Sequence, residues 1–395
     1  MKEISQQAVE VFAKIFGESP ECVSFAPGRV EVLGNHTDYN GGYVLSVAID
    51  LGVAVAAGRG RRGSRNTEIW SESFHEKAKV DLDYLVPERD SWAAYPKGVI
   101  RELMRAGMRM EATRMAILSN LPIGAGLGSS AALELATAEA LYGIFGGRPS
   151  KPMEEAQLCQ RAENSFVGVP SGLLDQFSSL FGKKDHALFL DCATLRYQQA
   201  PLGRDDVRVV LVDTGEKHAL IDGKYADLRQ SCERACSRFS DLMDQPARFL
   251  RDVRLPDFEK YSDELDPEDR PRAEHVIREN ERVLRGLAAI KSKHYEELKR
   301  LMLASHASSR DLFGNSTPAL DFLVEEASKL PGFLGAKLTG GGFGGSTVSL
   351  VEKASEEAFS KELAARFEAE FSRVPPRLSA GIGEGAGVEE VPIVS

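Results

Sequence analysis

Gly124, Gly126 and Gly128, with Ser129 and Ser130 directly behind them, are the residues of this chain best suited to chemistry. They lie in Leu121 to Ala132, which reads LPIGAGLGSSAA. Glycine reaches positive φ freely and carries no Cβ, so such a loop can bring its backbone N–H groups against a ligand. The run behind it, SSAALELATAEALYGIF, has helical spacing and opens on serines suited to an N-terminus, which aims the positive end of the helix dipole at the same point. The result is an anion site, and a nucleotide triphosphate suits it. The loop matches neither GxGxxG in a Rossmann unit nor GxxxxGKS/T, which argues against a dinucleotide site and a Walker loop. Taken alone, the segment can also be read as a flexible glycine turn ahead of a core helix.

Two further segments flank this one along the chain. Residues 26–45 read APGRVEVLGNHTDYNGGYVL, and residues 335–350 read GAKLTGGGFGGSTVSL. In order and spacing the three segments resemble the signature motifs of the GHMP kinases. The likeness is greatest to the galactokinase branch, whose first motif is Gly-Arg followed by a Gly-Glu-His-Thr-Asp-Tyr run. Gly28-Arg29 and Gly34-Asn35-His36-Thr37-Asp38-Tyr39 stand in those places. Trp92 to Ile100 (WAAYPKGVI), Arg161 to Phe177 (RAENSFVGVPSGLLDQF) and Gly335 to Val351 extend the likeness over nearly the whole chain. The resemblance implies an ATP-dependent sugar 1-kinase using Mg²⁺. It also implies a two-domain α+β fold, with an N-terminal α+β domain over 1–200, a C-terminal domain related to the ferredoxin-like fold over 201–395, and an active site in the cleft between them.

Phosphorylating a sugar hydroxyl requires a held triphosphate, a cation, a group for the hydroxyl proton and a mould for the sugar. By position alone Asp175 reads equally as a helix-start capping carboxylate and as a catalytic one. The resemblance makes it the carboxylate beside the reacting C1 hydroxyl, with Arg29 as the cation near it and the γ-phosphate. The phosphate loop implied for ATP is Gly124, Ala125, Gly126, Leu127, Gly128, Ser129, Ser130 and Ala131. Mg²⁺ needs few protein oxygens besides phosphate and water, and Ser130 and Glu163 match the family's ligands. Without that context Glu163 is an exposed glutamate on a helix. Asp38 matches the carboxylate that bonds the C3 and C4 hydroxyls, and His36, Gly172 and Tyr225 match other sugar contacts. Gly340 to Gly345 match the third motif, while Trp92 and Tyr95 fit a place near adenine and a place in the core equally well.

Asn35 departs from the pattern, which has Glu there accepting a hydrogen bond from the C6 hydroxyl. An amide both donates and accepts, so it binds that hydroxyl less strongly, tolerates a C6 carboxylate, or suits a sugar altered at C6. The readings carried forward are a galactose 1-kinase and a 1-kinase for a related sugar such as galacturonate or N-acetylgalactosamine. From another class comes a non-catalytic sugar sensor on the same scaffold, against which the intact loop, Asp175 and Arg29 all argue.

The elements that must position these residues follow from periodicity. Val9, Phe12, Ile15 and Phe16 form a helical stripe at the N-terminus, which is neither a secretory signal nor a membrane span. Residues 42–58 and 67–74 read as strands, as do 186–192, 207–213, 333–339 and 345–351. Helices are expected at 94–107, 130–145, 152–166, 174–182, 222–243, 270–290, 293–311, 317–330 and 355–372. With 395 residues, 43% of them hydrophobic, the chain can bury two cores. Its net charge of −10 argues against a phosphate backbone as partner, because that needs a concentrated basic surface. Five scattered cysteines suit reduced thiols in a cytoplasmic enzyme, with Cys232 and Cys236 packed on one helix face. The expected partners are ATP and a sugar, with no nucleic acid and no membrane, on a monomer or weak homo-oligomer.

Overall fold

A computed structural model describes residues 2–122, 126–169, 171–216 and 221–391, without the side chains of Ile221 and Asp222. In chain order the first elements are α1 (Glu3–Phe16), β1 (Cys22–Leu33), β2 (Tyr43–Arg59), β3 (Asn66–Ser71), β4 (Glu76–Asp81), α2 (Ala94–Arg105), β5 (Thr113–Ser119), α3 (Ser129–Phe145), α4 (Pro152–Ala162) and α5 (Leu174–Phe181). Then come β6 (His186–Asp191), β7 (Tyr197–Pro201), β8 (Val207–Asp213), α6 (Ile221–Leu242), α7 (Leu255–Tyr261), α8 (Asp269–Lys291), α9 (Tyr295–Ser308), α10 (Pro318–Ser328), β9 (Phe333–Leu338), β10 (Ser346–Glu352), α11 (Glu356–Phe371), β11 (Arg377–Gly381) and β12 (Gly387–Glu389). The mixture of helices and largely antiparallel sheets is the α+β class expected.

The chain forms two compact units, each built from separate stretches: 1–29, 48–182 and 383–395 in the first, 30–47 and 183–382 in the second. A sequence-based reading places one boundary, at 200.

In the first unit the strands run β12-β1-β2-β5-β3-β4, with β3 parallel to β5 and the closing strand β12 antiparallel to β1. The stripe of α1 buries Ile4, Ala8, Val9 and Phe12 against Phe25, Ala54, Ala116 and Leu118. Removing Phe12 down to Ala would cost about 3–5 kcal/mol, the usual scale for a buried aromatic ring. Gly17 stops the helix at φ 75°, donating its N–H to the Ala13 carbonyl. α3 is buried on every side rather than along one stripe, as befits a helix at the centre of a core.

In the second unit β8, β9, β10 and β11 form an antiparallel sheet in the order β11-β8-β10-β9, with α11 between β10 and β11 in the chain. With helices between β8 and β9, that is the split βαβ pattern of ferredoxin-like folds. Leu323, Phe359, Leu363 and Phe367 of α10 and α11 pack on Val210, Val212, Ala336 and Val351 of the sheet. A second cluster joins α6 to α8 through Cys232, Phe239, Ala273 and Val276, and Cys232 is a packing residue there. The first residues of β2 pair with β6, in register Tyr43 to Asp191.

Two helices end differently from their periodicity. The helix expected over 152–166 is α-helical to Ala162 and then widens into a π turn, Glu163–Val167. That expected over 293–311 does the same at Ser309–Phe313. Each closes on a left-handed glycine, Gly168 at φ 87° and Gly314 at φ 76°. The strand expected over 67–74 stops at Ser71.

Candidate active site

In the first unit Leu121, ahead of the glycine run, and Leu127, within it, lie against β1. Gly28 is required where the loop comes closest: a Cβ there would lie 2.8 Å from Leu121 Cδ2 and 3.0 Å from the Leu127 carbonyl oxygen. The next residue, Arg29, donates its backbone N–H to that carbonyl at 2.9 Å. Its guanidinium donates Nε (2.8 Å) and Nη2 (2.6 Å) to Asp175 Oδ1 and Nη1 to the Gly126 carbonyl. The arginine side chain is 11% exposed and the carboxylate 26%. A permanent cation, an ionisable carboxylate and the loop are thus locked together where water is scarce, which strengthens charge-assisted bonds. Asp175 stands in the first turn of α5, yet no side chain caps that helix, so its carboxylate serves Arg29. Gly128 precedes α3 at φ 70°, with Ser129, Ser130 and Ala131 forming the first turn behind it. Gly124 and Ala125 lie outside the described residues.

The π turn brings Glu163 to the same region. Its carboxylate accepts from the Ser171 hydroxyl, from Gln176 Nε2 at 2.9 Å and from the Ser130 hydroxyl, so Ser130 and Glu163 stand side by side. Gln176 Nε2 also bonds Glu134 at 3.0 Å. Burial pushes both glutamates above the usual carboxylate range. For Glu134 the charge of Glu163 adds to the shift; for Glu163, Asp175 adds to it while the hydrogen bonds hold it back. Asn164 pins the backbone N–H of Ser171 at 2.9 Å, just before Gly172. Glu134, Gln176 and Asn164 were not singled out from the sequence, where they read as ordinary helix residues. Trp92 stacks on Phe74 with rings 10° apart and donates to Glu76. Tyr95 packs against Ala94, Phe166 and Val167.

In the second unit the loop between β1 and β2 carries the first motif. Gly34, at φ 112°, leaves no room for a Cβ, which would lie 2.8 Å from the Tyr43 carbonyl oxygen. His36 is left-handed at φ 60°, uncommon for a residue with a side chain. Its ring nitrogens meet the Tyr39 hydroxyl (2.9 Å) and the Gly341 carbonyl (3.3 Å), which makes Nε2 the protonated one. Tyr39, Tyr225 and Phe313 surround the ring, and burial takes its pKa down to about 3. Asp38 is half-buried at the start of a short 3₁₀ turn, and Tyr225 is half-buried on α6. Asn35 is 1% exposed. Its Nδ2 donates to the Gly340 carbonyl at 2.9 Å, and its Oδ1 accepts from Ser309 (3.2 Å) and Asn315 (3.1 Å). The third motif thus meets the first within this unit.

Beneath that loop lies a polar layer not singled out from the sequence. Glu279 of α8 accepts from the backbone N–H groups of Gly34 (2.9 Å) and Asn35 (3.3 Å), from Ser305 (2.7 Å) and from Arg282. Burial alone would raise its pKa, but Arg282, His275, Lys337 and the Gly34 N–H outweigh burial and bring it to about 2. His275 donates to the Asn35 carbonyl at 3.0 Å, Lys337 pairs with Glu31 at 2.7 Å, and Arg251 bonds Asp191 and the Gly41 carbonyl. The 275, 279, 282 spacing is visible in sequence as one helix face, but charged residues at that spacing ordinarily mark a solvated face.

Comparison with known proteins identifies the family. Residues 10–59 match the galactokinase galactose-binding signature, 94–183 the GHMP kinases N terminal domain and 287–369 the GHMP kinases C terminal. Galactokinase of Thermotoga maritima is 39% identical over 88% of this chain and 94% of its own length. That of Roseiflexus is 39% identical over 95% of each. The crystal structure of Lactococcus lactis galactokinase complexed with galactose superposes with TM-score 0.89 at 33% identity, covering 96% of this chain and 98% of that one. Mevalonate kinase of Methanococcus jannaschii shares the fold, with TM-score 0.67. The three family models cover the three motifs, and the chain belongs to the galactokinase family of the GHMP kinases.

Proposed function

We propose that the protein transfers the γ-phosphoryl group of ATP to the C1 hydroxyl of galactose. The observation that carries this is the Arg29–Asp175 pair, held against the Gly126 carbonyl at the foot of α3. Asp175 takes or orients the hydroxyl proton as the oxygen attacks phosphorus, and Arg29 stabilises the charge on the moving phosphoryl group. Loop amides of residues 124–131 and the start of α3 hold the triphosphate. Asp38 bonds the C3 and C4 hydroxyls, with His36, Gly172 and Tyr225 as further sugar contacts. Asn35 supports the sugar loop.

The Ser130 hydroxyl and the buried Glu163 carboxylate are hard oxygen donors set side by side, the type of set Mg²⁺ accepts. Among the described residues no three His, Cys, Asp or Glu side chains group as metal ligands, so phosphate and water oxygens would complete the shell. The ion would neutralise charge on the phosphates. Among the described residues no helix is long and apolar enough to cross a membrane. A coupled ADP-release assay over galactose, galacturonate, N-acetylgalactosamine, glucose and mannose tests the reading. Galactose-dependent ADP release with product phosphorylated at C1 is expected; product phosphorylated at C6, or release independent of sugar, overturns it.

A further inference from the structure

Every polar group of Asn35 that the structure describes is used by protein, and the partners come from three separate elements. The backbone N–H goes to Glu279 and the carbonyl to His275, both on α8. The side-chain oxygen takes Ser309 from the π turn and Asn315 just beyond it. The side-chain nitrogen donates to the Gly340 carbonyl, while Asn315 and His36 both reach the Gly341 carbonyl, at 3.1 and 3.3 Å. Glu279 in turn holds two consecutive backbone N–H groups, at Gly34 and Asn35, and is 0% exposed.

We infer that Glu279 and Asn35 form one buried clamp, which positions the loop carrying His36 and Asp38 against the 340–341 turn and so sets the affinity for the sugar. The inference rests on the reading of that loop as the sugar site. Neither residue needs to touch the sugar; both act through the backbone from which His36 and Asp38 project. A backbone N–H bonded to a buried carboxylate is held more firmly than one bonded to a neutral acceptor. Two such bonds on successive residues suit a segment whose φ values, 112° at Gly34 and 60° at His36, are ones a free chain seldom holds together.

The clamp also explains the amide at position 35. Glu, the residue of the family motif, is longer by a methylene and has no N–H, so its carboxylate would stand against the Gly340 carbonyl oxygen that Asn35 now satisfies. The family residue is therefore expected to impair this chain, although a charged acceptor for a C6 hydroxyl would by itself improve it.

The test uses steady-state kinetics of the full chain with Glu279→Gln and Asn35→Glu, and hydrogen exchange of peptides covering 30–43. Glu279→Gln is expected to raise the galactose KM tenfold or more, with kcat and the ATP KM changed less than threefold. Amide exchange in 30–43 should become at least tenfold faster, while α11 is unchanged. Asn35→Glu should raise the galactose KM as well. A merely structural defect lowers the amount of active enzyme, hence kcat, and leaves KM alone. An unchanged galactose KM in Glu279→Gln, a fall confined to kcat, or a lower KM in Asn35→Glu overturns the inference. If the wild-type chain releases no ADP with galactose, the sugar-site reading fails, and exchange in 30–43 decides the clamp by itself: faster in Glu279→Gln supports it, unchanged overturns it.

Discussion

Arg29 uses all three of its guanidinium nitrogens, two on Asp175 and one on the Gly126 carbonyl, so a single side chain ties the candidate base to the glycine loop. Asp175→Asn keeps an oxygen for Arg29 but cannot take a proton. Turnover should fall on the order of a hundredfold or more, the scale of acid–base groups, with the ATP KM nearly unchanged. Wild-type turnover in that variant would remove Asp175 from the chemistry. Lys at position 29 has one nitrogen where Arg presents a planar fork. Arg29→Lys should therefore lower kcat about tenfold or more even though the charge is kept, which single-turnover measurements of phosphoryl transfer can isolate from product release.

At the scale of elements, the site depends on helix ends. Gly128 sits at φ 70° before α3, and a Cβ there would lie 3.3 Å from both Arg29 Cγ and Asp175 Oδ2. Gly128→Ala should cost about 1–2 kcal/mol in urea unfolding for the left-handed conformation alone, and lower kcat as well by displacing the pair. The π turn after α4 places Glu163 where Gln176 and Ser130 reach it, and such turns recur at functional sites. Gln176→Met removes one of the three donors that orient Glu163. Magnesium titrations of activity should then show half-saturation raised about 10–100-fold, the usual effect of losing a residue that orients a metal ligand. An unchanged titration would separate Glu163 from the metal.

Across the whole molecule, the two units should respond oppositely to acid. Burial lowers His36 and His275 of the second unit to about 3 and about 4, from 6.5 in an unfolded chain. Their contribution is complete above pH 6.5 and is lost as pH falls toward those values, because the unfolded chain takes protons the folded one refuses. In the first unit burial raises Glu155 to about 7, and Glu134 and Glu163 are raised too. Their contribution is complete below pH 4.5 and is lost as pH rises through the folded values. Between pH 6.5 and 4.5 acidification should loosen the second unit while the first holds or tightens, at about 1.4 kcal/mol per pH unit for each fully titrating group. Hydrogen exchange corrected for its intrinsic pH dependence reads each unit separately, and parallel loss of protection in both would contradict this assignment of buried groups.

What the sequence determined by itself was chemistry that resides in short contiguous runs. Glycines and serines at 124–130 read as a candidate anion loop because backbone freedom and helix start are local properties, and the motifs around Arg29, Asp38 and Gly341 carry the family likeness in consecutive letters. Periodicity likewise placed most helices within a few residues. Tertiary structure decided what those residues do to one another. It made Asp175 a partner of Arg29 rather than a helix cap, and it bonded the Asn35 side chain to Gly340, Ser309 and Asn315. The π turns at 163 and 309 were invisible to periodicity because one inserted residue per helix leaves the apolar spacing before it intact. Glu279, some 240 positions from the loop it holds, read as one charge on a helix face, since burial and partners exist only once the chain has folded.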